Sequence, residues 1–191
     1  ATVSKEPHGP FAVIAMGKFG GRELTYLSDL DIIYLFQDLK DQEFYSRLGV
    51  RMISALTLFT REGYAYRIDT ALRPSGNAGT LVSTLDAFQE YHRTLGQNWE
   101  KQALIKARPV IGESAFVAKV AECLDEIVYG SPFEPKSLAR EIHHLRMRME
   151  RELAKESEGH YNLKTGRGGI VDIEFIVQYL QLLHGRKRQE L

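Results

Sequence analysis

The sequence holds a single cysteine, Cys123, among 191 residues. One thiol cannot build a disulfide framework, so a reducing, cytoplasmic home is expected. No apolar run approaches the roughly 18 residues of a membrane-spanning helix. No signal peptide opens the chain. Neither sign of charge is in excess: 25 Lys and Arg stand against 25 Asp and Glu, for a formal net charge of zero. That balance argues against bulk electrostatic binding of nucleic acid and leaves only a local basic cleft open. Internal repeats and low-complexity segments are also missing. The first residue is Ala1 rather than Met, and the last residues are the basic run "GRKRQEL". The sequence therefore reads as a piece of a longer protein.

What is present suffices for a real core. Hydrophobic residues make up 43% of the chain, enough for one large domain or two small ones. Residues 11–16 form a short apolar run that reads as a buried strand, and residues 30–36 form a second. Residues 44–59 carry Tyr45, Leu48, Met52, Leu56 and Phe59 at helical spacing. Gly63 ends that helix, and "YAYRID" at 64–69 alternates like a strand. "LRPSGNAG" is a loop by its Pro, Asn and Gly content, and residues 80–83 allow one more short strand. From Leu85 onward the chain reads as helices. Leu138, Ile142, Leu145, Met149 and Leu153 form one helical stripe. "TGRGG" at 165–169 interrupts the pattern. A last helix runs from 170 to about 184 with Ile173, Val177, Leu180 and Leu183 on one face. The expected architecture is α+β: a small mixed-sheet domain over 1–110, then a helical bundle over 111–191, with a soft boundary near 109–114.

The chemistry concentrates in "MGKFGGRELTYLSDLDIIYLF". Side chains two apart on a strand share a face, so Asp29 and Asp31 face one way while Leu30 and Ile32 face a core. Two carboxylates this close repel unless a positive charge lies between them. A divalent ion answers this, and carboxylate oxygens suit Mg²⁺ or Mn²⁺. Asp69, at the end of "YAYRID", is the third ligand if its strand lies beside residues 30–36. Such a set could hold two metals for an in-line phosphoryl or nucleotidyl displacement. The plain alternative is a turn at Ser28–Asp29 with Asp31 capping or pairing with an arginine.

"GKFGG" follows the first strand. Glycines let a backbone approach a phosphate closely, and Lys18 adds a point charge. It is not a P-loop, because Phe19 follows Lys18, and no dinucleotide-binding fingerprint fits. Alone it would be an ordinary tight turn. A glycine, a gap and then Ser28-Asp29-Leu30-Asp31 opening an apolar strand resembles the nucleotidyltransferase superfamily of DNA polymerase beta. Lys18 departs from that pattern, which has a serine there.

The departure points to one branch. Over nearly the whole chain, "MGKFGGRELTYLSDLDIIYLF", "YRIDTALRPSGNAGTLV", "WEKQALIKARPVIG" and "GGIVDIEFIVQYLQL" resemble the family of bifunctional glutamine synthetase adenylyltransferase/adenylyl-removing enzymes. The resemblance implies two nucleotidyltransferase domains in the full protein. One attaches AMP from ATP to a tyrosine of glutamine synthetase, and the other removes it by phosphorolysis. "LRPSGNAGTLV", "WEKQAL" and "GIVDIEF" look more like the adenylylating C-terminal half, while "IKAR" and "YNLKTGRGG" would also suit the other. Adenylyl transfer is favoured.

The resemblance implies metal binding by Asp29, Asp31 and Asp69, with Asp69 also steering the tyrosine proton. Gly17, Lys18, Gly20, Gly21 and Ser28 would hold the triphosphate, and Arg73 is a further phosphate ligand unless it makes a salt bridge. Lys164 and Arg167, beside Gly166, Gly168 and Gly169 at a helix start, are a second nucleotide contact unless that segment is an ordinary turn. Asp172 and Glu174 would complement that helix's dipole. Glu23 reads as a surface residue. Trp99, Tyr91 and Phe88 read as core, as does the 138–153 stripe. His143 and His144 diverge on a helix and make a poor metal site. The implied partners are glutamine synthetase and, through the full-length enzyme, a PII signalling protein, with neither nucleic acid nor membrane. The rivals are the phosphorolytic reaction, a non-catalytic regulator-binding module, and a nucleic-acid-directed transferase.

Overall fold

The computed structural model describes residues 8–187. Ala1 and most of the basic ending lie outside them. The chain forms two compact units. The first runs to residue 96 and takes in 106–127; the second joins 97–105 to 128 onward.

The first unit is built on a five-stranded mixed sheet. Strand β1 (Phe11–Ala15) leads through the short helix α1 (Gly17–Gly20) to β2 (Leu30–Phe36), and α2 (Gln42–Thr57) follows. Next come β3 (Ile68–Asp69), β4 (Val82–Thr84) and α3 (Leu85–Thr94). β2 is the hub. It pairs antiparallel with β1 from Ile32 to Phe36, and parallel with β3 at its start and β4 at its end. Its alternation decides the layers. Leu30, Ile32, Tyr34 and Phe36 point into one core with Val13, Tyr45 and Val82, against Leu48, Met52 and Ile53 of α2. Each such fully buried side chain contributes about 1.5–3 kcal/mol. Asp31 belongs to the other set, with the buried Ile33 and Leu35.

Two elements depart from expectation. "YAYRID" is strand only over Ile68–Asp69; Tyr64 and Tyr66 are exposed instead of filling a core. Residues 108–112, expected near a domain boundary, form β5 (Arg108–Gly112), which pairs antiparallel with β1 through a register shift between Val13 and Ile14. Pro109 lacks a donor, so its place on an edge strand removes no central ladder bond. Because β5 belongs to the sheet, residues 106–127 fall in the first unit, past the expected limit at 110.

The second unit gathers α4 (Asn98–Leu104), the end of α5 (Ser114–Tyr129), α6 (Pro135–Met149) and α7 (Ile170–His184). α6 begins with Pro135 in the first turn, and Glu134 accepts from the Lys136 and Ser137 amides. Both are standard helix-start chemistry. α6 then widens into a π-helical turn over Glu150–Ala154, closed by Lys155 in a left-handed conformation. Gln102 donates to Gln178 at 2.6 Å, and Asn98 to Glu141 at 2.7 Å, so α4 is tied to α7 and α6. The stripe on α6 is core at Leu138 and open at Leu153. The α7 face expected from periodicity is largely exposed: Ile173, Val177 and Leu180 stand 46–64% open, while Val171 and Leu182 are the buried pair. Among the described residues, no helix is long and apolar enough to cross a membrane.

Candidate functional site

The carboxylates meet where β2 and β3 run side by side. Asp31 and Asp69 are direct partners in the parallel ladder, and the Leu30 amide donates to the Arg67 carbonyl at 2.8 Å. Partners in a ladder put their side chains on one face, so the two carboxylates stand together on the face opposite the α2 core. Asp31 is half-buried and Asp69 exposed. Asp69 also closes its own turn, taking the Ala71 amide at 2.7 Å.

Gly17 adjoins the pair. It leaves β1 with φ +49, and a Cβ there would lie 2.5 Å from Asp31 Oδ2. A glycine is thus required twice, by a left-handed backbone and by the carboxylate beside it. The Met16 amide donates to the Asp31 carbonyl at 2.8 Å, which locks the loop start to β2. Asp29 precedes β2 on non-strand backbone and is exposed. Among the described residues, no three His, Cys, Asp or Glu side chains converge tightly enough to hold a metal ion. The donor chemistry of Asp31 and Asp69, two hard carboxylates on one face, fits a divalent cation; a third protein ligand is not assembled beside them.

The rest of the glycine loop divides by role. Lys18 is exposed and makes no ion pair among the described residues. Gly20 is buried, and a Cβ on it would collide with the Lys106 carbonyl. Its lack of a side chain serves packing against the approach to β5. Gly21 lies against the Lys106 and Glu23 side chains, which pair with each other at 2.7 Å. Arg108 donates to the Gly20 carbonyl at 2.8 Å and the Phe19 carbonyl at 3.2 Å. This brace was not foreseen. The only trace of it in the sequence was a basic residue in "IKAR", which pattern alone does not connect to a loop 88 residues earlier.

Ser28 accepts from the Thr25 amide at 3.0 Å and bonds the Thr25 hydroxyl at 2.8 Å, holding the turn before Asp29. Arg73 Nη1 donates to the Thr70 carbonyl and hydroxyl and to Asn77, which organises the turn after Asp69. Its buried Nε has no partner among the described residues.

Lys164 belongs to the second unit and is exposed. The glycine segment there is held from within. Buried Arg146 donates to the Gly166 carbonyl at 2.7 Å and to Asp172, while Asp172 takes the Gly168 amide at 2.6 Å. Burial pushes the Asp172 carboxyl up, but the hydrogen bonds from Arg146 and Gly168 and the charges of Arg146 and Arg167 outweigh it, leaving it below the usual range. Asp172 therefore does more than complement a helix dipole. Trp99 departs from the core reading, since it is 40% exposed, whereas Phe88 is fully buried.

Comparison with known proteins shows the family of the chain. The family model described as glutamate-ammonia ligase adenylyltransferase matches residues 2–123, and one described as GlnD PII-uridylyltransferase matches 136–191. The bifunctional glutamine synthetase adenylyltransferase/adenylyl-removing enzyme of Nitrosococcus oceani is 44% identical over 181 residues, covering 88% of this chain and 19% of that protein. The protein of the same name from Thioalkalivibrio sulfidiphilus is 41% identical over 198 residues, 95% of this chain and 20% of the relative. That from Bordetella pertussis is 40% identical over 188 residues, 97% and 20%. The chain spans about a fifth of the length of these curated relatives. With the match over the whole sheet and its carboxylate edge, the chain belongs to the glutamate-ammonia ligase adenylyltransferase family.

Proposed function

We propose that the chain carries a nucleotidyl-transfer site that moves AMP from ATP to a tyrosine hydroxyl of glutamine synthetase, with pyrophosphate leaving. The observation that carries this reading is the in-register pair Asp31 and Asp69 beside Gly17, in a chain of this family. Mg²⁺, or Mn²⁺, would be held by Asp31 and Asp69, with Asp29 joining from the segment that precedes β2. When bound, it would neutralise charge on the phosphoryl oxygens. Asp69, the more exposed of the pair, would take or steer the proton of the acceptor tyrosine, whose free pKa is about 10. Lys18, one residue from Gly17, would meet the charge of the departing pyrophosphate. Arg73 would act on the site mainly by holding the Asp69 turn in place. The cytoplasm is the matching location, and regulation by a PII protein would act through parts of the full-length enzyme outside this chain.

The test is to run both directions side by side with Mg²⁺. Incorporation of AMP from ATP into glutamine synthetase, with pyrophosphate released, supports the reading. Phosphate-dependent release of ADP from adenylylated synthetase, without incorporation, replaces it with phosphorolysis at the same carboxylates. Asp31→Asn should lower whichever reaction is found by about 100-fold or more. Activity within a few-fold of wild type would remove Asp31 from the site.

A further inference from the structure

The second unit contains a groove that the proposed transfer does not use. It has a volume of about 440 Å³ and lies between α4 and α6, a size suited to a small organic ligand. Its α6 wall presents His144, Arg148 and Arg151. These stand at i, i+4 and i+7, on one helical face that continues into the π-helical turn. Among the described residues, neither Arg148 nor Arg151 makes an ion pair. The opposite wall is Trp99. Its indole N–H donates to Gln97 Oε1 at 2.9 Å, which fixes the ring's orientation while leaving it 40% exposed. The one acid in the lining, Glu141, is already engaged by Asn98 at 2.7 Å and Ser137 at 3.2 Å.

Two guanidiniums free to fork onto phosphate oxygens, facing a pre-oriented indole, form a complementary pair of surfaces. One accepts an anion and the other a planar ring. We propose that this groove binds a nucleoside 5′-phosphate, with the base against Trp99 and the phosphates on Arg148 and Arg151, independently of the carboxylate site. This goes beyond the transfer reaction, because it places a second nucleotide contact wholly within the helical unit. A nucleotide bound there would report adenylate supply to the enzyme without being consumed.

Trp99 is the chain's single tryptophan, so its emission reads occupancy directly. ADP titrated without Mg²⁺ should quench it saturably, and adenosine should bind at least about tenfold more weakly, for want of charge-assisted bonds. The exposed pair Arg148→Gln/Arg151→Gln, with far-UV circular dichroism unchanged, should weaken ADP by about tenfold or more. Asp31→Asn should leave the ADP titration unchanged. Calorimetry with Trp99→Phe should retain ADP binding, because a ring remains, and Trp99→Ala should lose it. The proposal is overturned by absence of quenching at millimolar ADP, by equal binding in the double arginine variant, or by loss of quenching in Asp31→Asn, which would make the signal a reflection of the carboxylate site.

Discussion

The two units solve the same problem of burial in opposite ways. In the sheet unit, β2 is closed on both edges and both faces. Ile32 through Phe36 are all buried, and charge enters only at Asp31, where the strand begins. In the helical unit the apolar face of α7 is largely open, while a guanidinium, Arg146, lies almost fully buried. The sheet unit is thus held mainly by apolar packing. The helical unit relies far more on a polar network centred on Arg146, Asp172 and the Gly166–Gly169 turn. The difference teaches that a hydrophobic stripe does not identify the stabilising residues by itself. Among the described residues, nothing covers Ile173, Val177 and Leu180 of α7 fully.

That comparison can be broken most forcefully at Phe36. Phe36→Ala should cost about 3–5 kcal/mol, because a cavity opens in a core with no route to collapse. Urea unfolding followed by far-UV circular dichroism reads this. A loss under 1 kcal/mol would deny the sheet unit its packing-dominated character. Arg146→Met should come next, at about 1.5–3 kcal/mol, since it strands the Asp172 carboxylate and the Gly166 carbonyl. Its measure is the urea midpoint of Trp99 emission, which reports from within the helical unit. A neutral result would mean that the network positions the turn without stabilising it.

Acid sharpens the contrast more gently. Asp172 is held below the usual aspartate range, against the push of burial, by Arg146 and Gly168. Asp41, in the sheet unit, is held below it by hydrogen bonds from His8 and the Gly9 amide. A depressed folded pKa means that stability is present above the unfolded value of 3.8 and is lost as pH falls through the folded value. The acid limb of the stability profile should therefore lie below pH 3.8, and Asp172→Asn should flatten the part read by Trp99 emission while Asp41→Asn leaves that part alone. The smallest effect belongs to α7. Ile173→Ala should shift the unfolding midpoint by less than about 0.5 kcal/mol, as at any open surface position. A loss approaching that of Phe36→Ala would show that the face is covered in solution.

Local pattern alone determined the residues that alternate or repeat. β2 was legible over 30–36 because a dense apolar run needs no partner to declare itself, and α7 was legible over 170–184 because its period is helical. A period of two puts Asp29 and Asp31 on one face, but β2 begins only at Leu30, so Asp31 alone takes its place in that alternation while Asp29 lies ahead of it on non-strand backbone. Tertiary structure decided whatever depended on residues far apart in sequence. β5 is too short, and too disguised by Pro109, to be read without β1 beside it. Arg108 braces a loop 88 residues away, and the Lys106 carbonyl makes Gly20 a packing glycine. The register that seats Asp69 directly opposite Asp31 exists only once β3 has chosen β2. Trp99 and the 173–180 face show the same limit from the other side. Periodicity tells which residues share a face, but only the neighbouring elements decide whether anything covers it.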